Sequence, residues 1–110
     1  MALTTFSGPV RSLNGFIAGN GNTITKVLSA SASLDFASIN AGAQASLTIT
    51  VTGAAVGDEV IMALPAAPAA GLVFNAFVSA TDTVTIRASN ISGSPVDAAA
   101  ATYGVIVIAA

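Results

Sequence analysis

Apolar and polar residues alternate with a period of two along much of this chain, and that period restricts it to β structure. Over residues 46–52, Leu47, Ile49 and Val51 alternate with Ser46, Thr48, Thr50 and Thr52, as apolar and β-branched side chains do on a half-buried pleat. Upstream, Ile24, Leu28, Ala30, Ala32, Leu34 and Phe36 take even positions, with Ser29, Ser31, Ser33 and Asp35 between them. Lys26 interrupts the apolar series and Val27 lands on the opposite face, so this end of the strand is expected to reach solvent or a sheet edge. Farther along, Val84, Ile86 and Ala88 face one way and Thr85, Arg87 and Ser89 the other.

Two segments lack the alternation. Residues 60–64 and 103–108 are apolar almost throughout, the pattern of strands buried on both faces, and the second is expected to be a central or covered strand. Pro65 ends the first, because proline has no N–H to give to the ladder. Residues 72–80 and 83–90 are joined by Thr81-Asp82, a two-residue hairpin connection. Turn formers fill residues 40–43, 53–58 and 92–97, while residues 65–71 read as an alanine-rich spacer or a contact surface. Residues 98–101 are the one place for a helix, of barely one turn. Six strands with short turns and no helical period give an all-β fold. The expected architecture is an antiparallel β-sandwich or a jelly-roll-like barrel, in which each strand buries one face against a second sheet.

This β-sandwich domain is expected over residues 24–110, after an irregular N-terminal arm of residues 1–23. The arm holds Gly8, Pro9, Gly15, Gly19 and Gly21 with Asn14, Asn20 and Asn22, too many turn formers for a long regular element. Its apolar residues Phe6, Val10, Leu13, Phe16 and Ile17, with Arg11 among them, are too many for a solvated tail. They are expected to dock on the chain's own core or on a neighbour's. Together with Arg87 they form the candidate interface set. Arg87 joins it because a mid-strand cation beside an apolar partner strand is costly unless paired. Asp35, Asp82 and Asp97 are its partners within the chain, and an acid of another subunit is the alternative.

A chain of 110 residues builds one core and not two. Only 7% of the residues are charged, with three Lys and Arg against five Asp and Glu. Three scattered cations cannot neutralise a run of phosphates, so no nucleic-acid partner is expected. With so few ionic groups, either Ser, Thr, Asn and Gly keep the surface wet or partners cover it, and cover is the favoured expectation. There is no cysteine and hence no disulfide. Residues 1–5 show no basic segment ahead of an apolar one, so no secretory signal is expected and synthesis in a cytoplasm fits. The most apolar stretch, residues 60–74, is broken by Pro65, Pro68 and Gly71 and falls short of the ~20 residues that span a bilayer. No membrane partner is expected.

Reactive side chains are scarce. Without histidine or cysteine the chain has no imidazole base, no thiolate and none of the usual zinc ligand sets. Lys26, the only lysine, sits on an alternating strand and not in a pocket beside a serine. Asp58 and Glu59, the only adjacent acids, fall in a turn that sends both side chains to solvent, whereas glycoside hydrolysis needs two acids across a cleft. No loop spaces its acids as a calcium motif does. Residues 19–22, Gly-Asn-Gly-Asn, lack the strand-to-helix setting and the Gly-Lys-Ser/Thr of a phosphate loop. The expectation is a protein that is not an enzyme and has no cofactor, metal or catalytic residue.

Residues 33–58, Ser-Leu-Asp-Phe-Ala-Ser-Ile-Asn-Ala-Gly-Ala-Gln-Ala-Ser-Leu-Thr-Ile-Thr-Val-Thr-Gly-Ala-Ala-Val-Gly-Asp, resemble a pattern found in small tailed-phage virion proteins. Residues 77–97 resemble that family's recurrent element, a strand carrying Thr-Val-Thr-Ile-Arg87 and a following Asn90, then a turn and a last strand. Residues 6–16, Phe-Ser-Gly-Pro-Val-Arg-Ser-Leu-Asn-Gly-Phe, are similar to the arms of phage capsid-associated proteins, those of cyanobacterial phages in particular. The resemblance implies a capsid decoration or cement protein. Such a protein assembles as a homo-oligomer, a trimer being favoured, on the major capsid protein at the virion surface, after synthesis in the host cytoplasm. It implies structural roles for Arg87 and Asn90. The sequence departs from the family at Ala88, where a large apolar residue is usual, and the departure bears on how tightly that strand packs. A receptor- or glycan-binding module of a tail or head fibre is the alternative, although Tyr103 and five phenylalanines are the only aromatics available to sugar rings. A third is a surface or filament subunit joined by strand exchange.

Overall fold

All six alternating or apolar segments form strands in the computed structural model, which describes residues 3–110; the first two residues of the expected arm lie outside the described residues. Two dipeptide strands, β1 (Phe16–Ile17) and β2 (Thr23–Ile24), come first. The long strands follow as β3 (Lys26–Leu34), β4 (Gln44–Thr50), β5 (Glu59–Ala63), β6 (Leu72–Ala80), β7 (Thr83–Asn90) and β8 (Ala101–Ala109). They make two antiparallel three-stranded sheets in the orders β3-β8-β5 and β4-β7-β6, while β1 and β2 pair only with each other. Each larger sheet keeps two edge strands, so the fold is a sandwich and not a closed barrel.

The connections explain the pairing. Among the six long strands the chain changes sheet after β3, β4, β5 and β7, and only β6 and β7 are consecutive neighbours. Their hairpin turns at Thr81-Asp82 as expected, with Asp82 at φ 60°, a conformation that aspartate tolerates better than most residues. Asp82 also ties the hairpin to the loop after β4. Its carboxylate accepts from the Gly53 N–H at 2.8 Å, its N–H donates to the Ala54 carbonyl at 2.9 Å, and its carbonyl accepts from Val51 at 2.8 Å.

Residues 98–101 form no helix. Ala98 to Ala100 carry no regular structure, and Ala101 opens β8 by pairing with Leu34. One turn of helix closes a single hydrogen bond for several fixed dihedrals, whereas extension of β8 continues a ladder already in register. β8 is a central strand, as expected, but neither it nor β5 is covered on both faces. Glu59, Ile61 and Ala63 of β5 are exposed, and so is Ile106 of β8.

The core lies between the sheets. Val84, Ile86, Ala88 and Val107 are fully buried, and Ile49, Val78, Tyr103, Val105, Leu34 and Phe36 are nearly so. Each large side chain moved out of water here contributes about 1.5–3 kcal/mol. Phe36, Phe74 and Tyr103 form an aromatic cluster with ring centroids 5.6–6.0 Å apart, and burial pushes the Tyr103 hydroxyl above its ordinary pKa. Ala88 lies in register with Ala45 and with Phe74. Its small side chain is wholly enclosed, so the departure at this position does not loosen β7.

Among the described residues Asn90 is the one buried amide, and it is fully used. Its Nδ2 donates to the carbonyls of Ile39 at 2.9 Å and Ser94 at 2.8 Å, and its Oδ1 accepts from the Ser92 N–H at 2.9 Å and the Ser92 hydroxyl at 2.6 Å. These bonds hold the turn after β7 against the bridge between Ile39 and Val96. Gly71 closes the same corner at φ +88°, with a position for Cβ only 3.1 Å from the Ser92 side chain, so any larger residue there meets both strain and contact.

The arm lengthens the molecule. A compact chain of this size has a radius of gyration of about 13 Å, against 17.5 Å here with a longest extent of 57 Å.

Candidate interaction surface

The arm residues do not dock on the sandwich core. Phe6 and Val10 are about two-thirds exposed, Leu13 is 80% exposed, and Phe16 and Ile17 are also mostly open. Among the described residues, no backbone hydrogen bond outside strand pairing joins the segment before β1 to the sandwich. What the fold does is gather part of the set. Phe6, Val10, Arg11 and Phe16 line an open groove of about 600 Å³ together with Ile24, Lys26 and Val27. Leu13 and Ile17 stand outside it. The groove exists because β2 runs almost directly into β3, where the Thr25 N–H donates to the Ala109 carbonyl at 2.8 Å, and the β1–β2 ribbon folds the arm back over that junction.

Arg87 stands apart from the arm, on the outer face of the β4-β7-β6 sheet. None of the expected salt bridges to Asp35, Asp82 or Asp97 forms; among the described residues the one ion pair is Lys26 with Asp58, at 3.0 Å. Arg87 is instead stabilised by its own sheet. Its guanidinium lies 5.0 Å from the centre of the Phe77 ring, and its Nε donates to the Ser46 hydroxyl at 3.3 Å. A cation over an aromatic face at a partly exposed site contributes about 0.5–1 kcal/mol, enough to satisfy the side chain without an acid. Register explains the choice, since Arg87 pairs with Ser46 on one side and with Asn75 on the other, which sets Phe77 diagonally beside it.

Lys26 and Asp58 fix the corner near the groove. Lys26 Nζ also donates to the Gly53 carbonyl at 2.6 Å, and the Asp58 carboxylate accepts from the Ala55 N–H at 3.0 Å. That backbone bond, and then the Lys26 ammonium, hold the Asp58 carboxyl below its ordinary value. Asp58 is therefore engaged, contrary to the expectation that both adjacent acids point freely into water; Glu59 alone does so.

A second surface escapes the sequence reading. On the outer face of the β3-β8-β5 sheet, Val27, Ile106 and Ile61 are 62%, 40% and 57% exposed. Beside them is a shallow hollow of about 520 Å³ whose lining includes Ser29, Ser31, Ile61, Ala63, Gly104 and Ile106. Its floor is Gly104, paired with Ser31 and Ala63. The signal that marks it in the sequence is a glycine inside an apolar strand, which often denotes close approach of another group. No group of three or more histidines, cysteines or acids converges anywhere among the described residues. No family model matches the chain, and no curated protein or solved structure matches it either.

Proposed function

We propose that this chain is a non-enzymatic structural protein of a phage virion, a decoration protein that assembles as a homo-oligomer on the major capsid protein of the head. The observation that carries the reading is the apolar surface left open on the arm and on one sheet. A monomer with a 7% share of charged residues has little ionic surface to offset such patches, whereas a subunit whose neighbours cover them has no such need. The resemblance of residues 6–16, 33–58 and 77–97 to small phage virion proteins supplies the setting, and the trimer is the favoured state. The test is assembly. Light scattering after size exclusion is expected to show an oligomer, and the protein is expected to co-sediment with heads built from its own phage's major capsid protein. A stable monomer with no affinity for heads overturns the reading.

A further inference from the structure

We propose that the outer face of the β3-β8-β5 sheet is the seat for the arm of a second copy of this chain, with Phe6 in the hollow over Gly104 and Arg11 against Glu59. The proposal deepens the assembly reading above and rests on it.

Three features point to this occupant. The first is charge. Arg11 is the only charged residue ahead of β3 apart from the terminus, and Glu59 is the only charged residue on the outer rows of β3, β8 and β5, where it stands in line with Ile108 and Val27. Among the described residues neither has an ion-pair partner within the chain. The second is reach. From Glu59, paired with Ile108, to Gly104 is four residues along β8 and one strand across, about 14 Å at ordinary strand rise and spacing. The five steps from Phe6 to Arg11 include Gly8-Pro9, and an extended chain of that length spans about 15–17 Å. The third is shape. The rows Ser29-Ile106-Ile61 and Ser31-Gly104-Ala63 step from tall to small side chains, and a phenyl ring fits on the low row against the wall of the high one.

Arm and face are different surfaces of the same chain, so the contact is heterologous and closes into a ring only at a suitable rotation. Three copies, each giving an arm and receiving one, leave no arm and no face uncovered.

Gly104→Val provides the decisive test. A Cβ at Gly104 meets only Ala63 Cβ at 3.6 Å and the Ala30 carbonyl at 3.9 Å, with no positive φ, so valine fills the hollow without straining the sheet. The variant is expected to keep the wild-type melting temperature or exceed it while its subunit dissociation constant rises about tenfold or more. Phe6→Ala is expected to weaken association to a similar degree. Arg11→Glu and Glu59→Arg alone should each weaken it about three- to tenfold, and the double reversal should restore it. All are read by sedimentation equilibrium on the full chain. Wild-type-like association of Gly104→Val, or a double reversal no better than the single ones, overturns the proposal. So does loss of association in Gly104→Val but not in Phe6→Ala, which assigns the hollow to another occupant. A wild-type chain that stays monomeric overturns it as well, and if that monomer still binds heads the decoration reading stands without it.

Discussion

Across β4, β7 and β6 the outward rows are Gln44-Ser89-Val73, Ser46-Arg87-Asn75 and Thr48-Thr85-Phe77; across β3, β8 and β5 they are Val27-Ile108-Glu59, Ser29-Ile106-Ile61 and Ser31-Gly104-Ala63. The first face largely satisfies its own side chains, with Val73 left half exposed. Thr85 is buried there and donates to the Ser79 hydroxyl at 2.6 Å, Arg87 is held by Ser46, and the exposed Phe77 ring is covered by the same guanidinium. On the second face Ile61 and Ile106 stand open, and Val27, at the edge of the arm groove, is mostly exposed as well. Two sheets that share one core thus differ in what they need outside it. The first ties down its one charge and part of its aromatic surface, and the second leaves more of its apolar side chains open.

The comparison can be broken most forcefully from the inside, where both sheets depend on the same packing. Ile86→Ala is expected to cost about 3–4 kcal/mol, measured by urea unfolding; a loss below about 1 kcal/mol would mean that the sheets are not held by a common core. Next comes the amide staple. Asn90→Ala removes four hydrogen bonds and leaves the Ser92 N–H without its acceptor, while the Ile39 and Ser94 carbonyls keep the Val96 N–H and the Ser92 hydroxyl, so it should cost about 2 kcal/mol, with amide exchange accelerating first in the turn after β7.

The outer faces are separated by a matched pair of surface changes. Ile106→Lys and Thr48→Lys should each shift stability by about 0.5 kcal/mol or less, yet only the lysine at position 106 should abolish self-association in light scattering. Equal effects on association would erase the distinction between the faces. The smallest expected effect is at the corner. Because the folded Asp58 carboxyl lies below its ordinary value of 3.8, its contribution to stability is complete above that value and is lost as pH falls through the lowered one. Asp58→Asn should therefore be less stable than wild type near neutrality, and acid titration of both should show the gap closing below the ordinary carboxylate value.

Much of this was legible beforehand, and the limits of legibility follow a pattern. The alternation placed β3, β4 and β7 with the correct inward residues, and Thr81-Asp82 placed the hairpin, because side-chain direction in a strand follows from the backbone of that strand alone. The apolar runs of β5 and β8 were read as two-sided burial. β8 is indeed central, but the outer rows of both strands stand wholly or partly exposed, since an apolar outer row looks the same in sequence whether or not the chain covers it. The partner of Arg87 was misjudged for a related reason. Only the register of β7 against β4 and β6 brings Ser46 and Phe77 to it, and register is a property of pairs of strands.

The sequence by itself determined that this protein is all β, which residues of the alternating strands face inward, and that imidazole and thiol chemistry are closed to it, because each of these depends on residue type and on local backbone periodicity. Only the tertiary structure decided that the sheets stack as an open sandwich, that Asn90 and Asp82 bind distant loops, and that one outer face holds its charge by its own side chains while the other leaves more apolar residues open. Those properties depend on which strands become neighbours, and strand neighbours are chosen by packing across the whole chain.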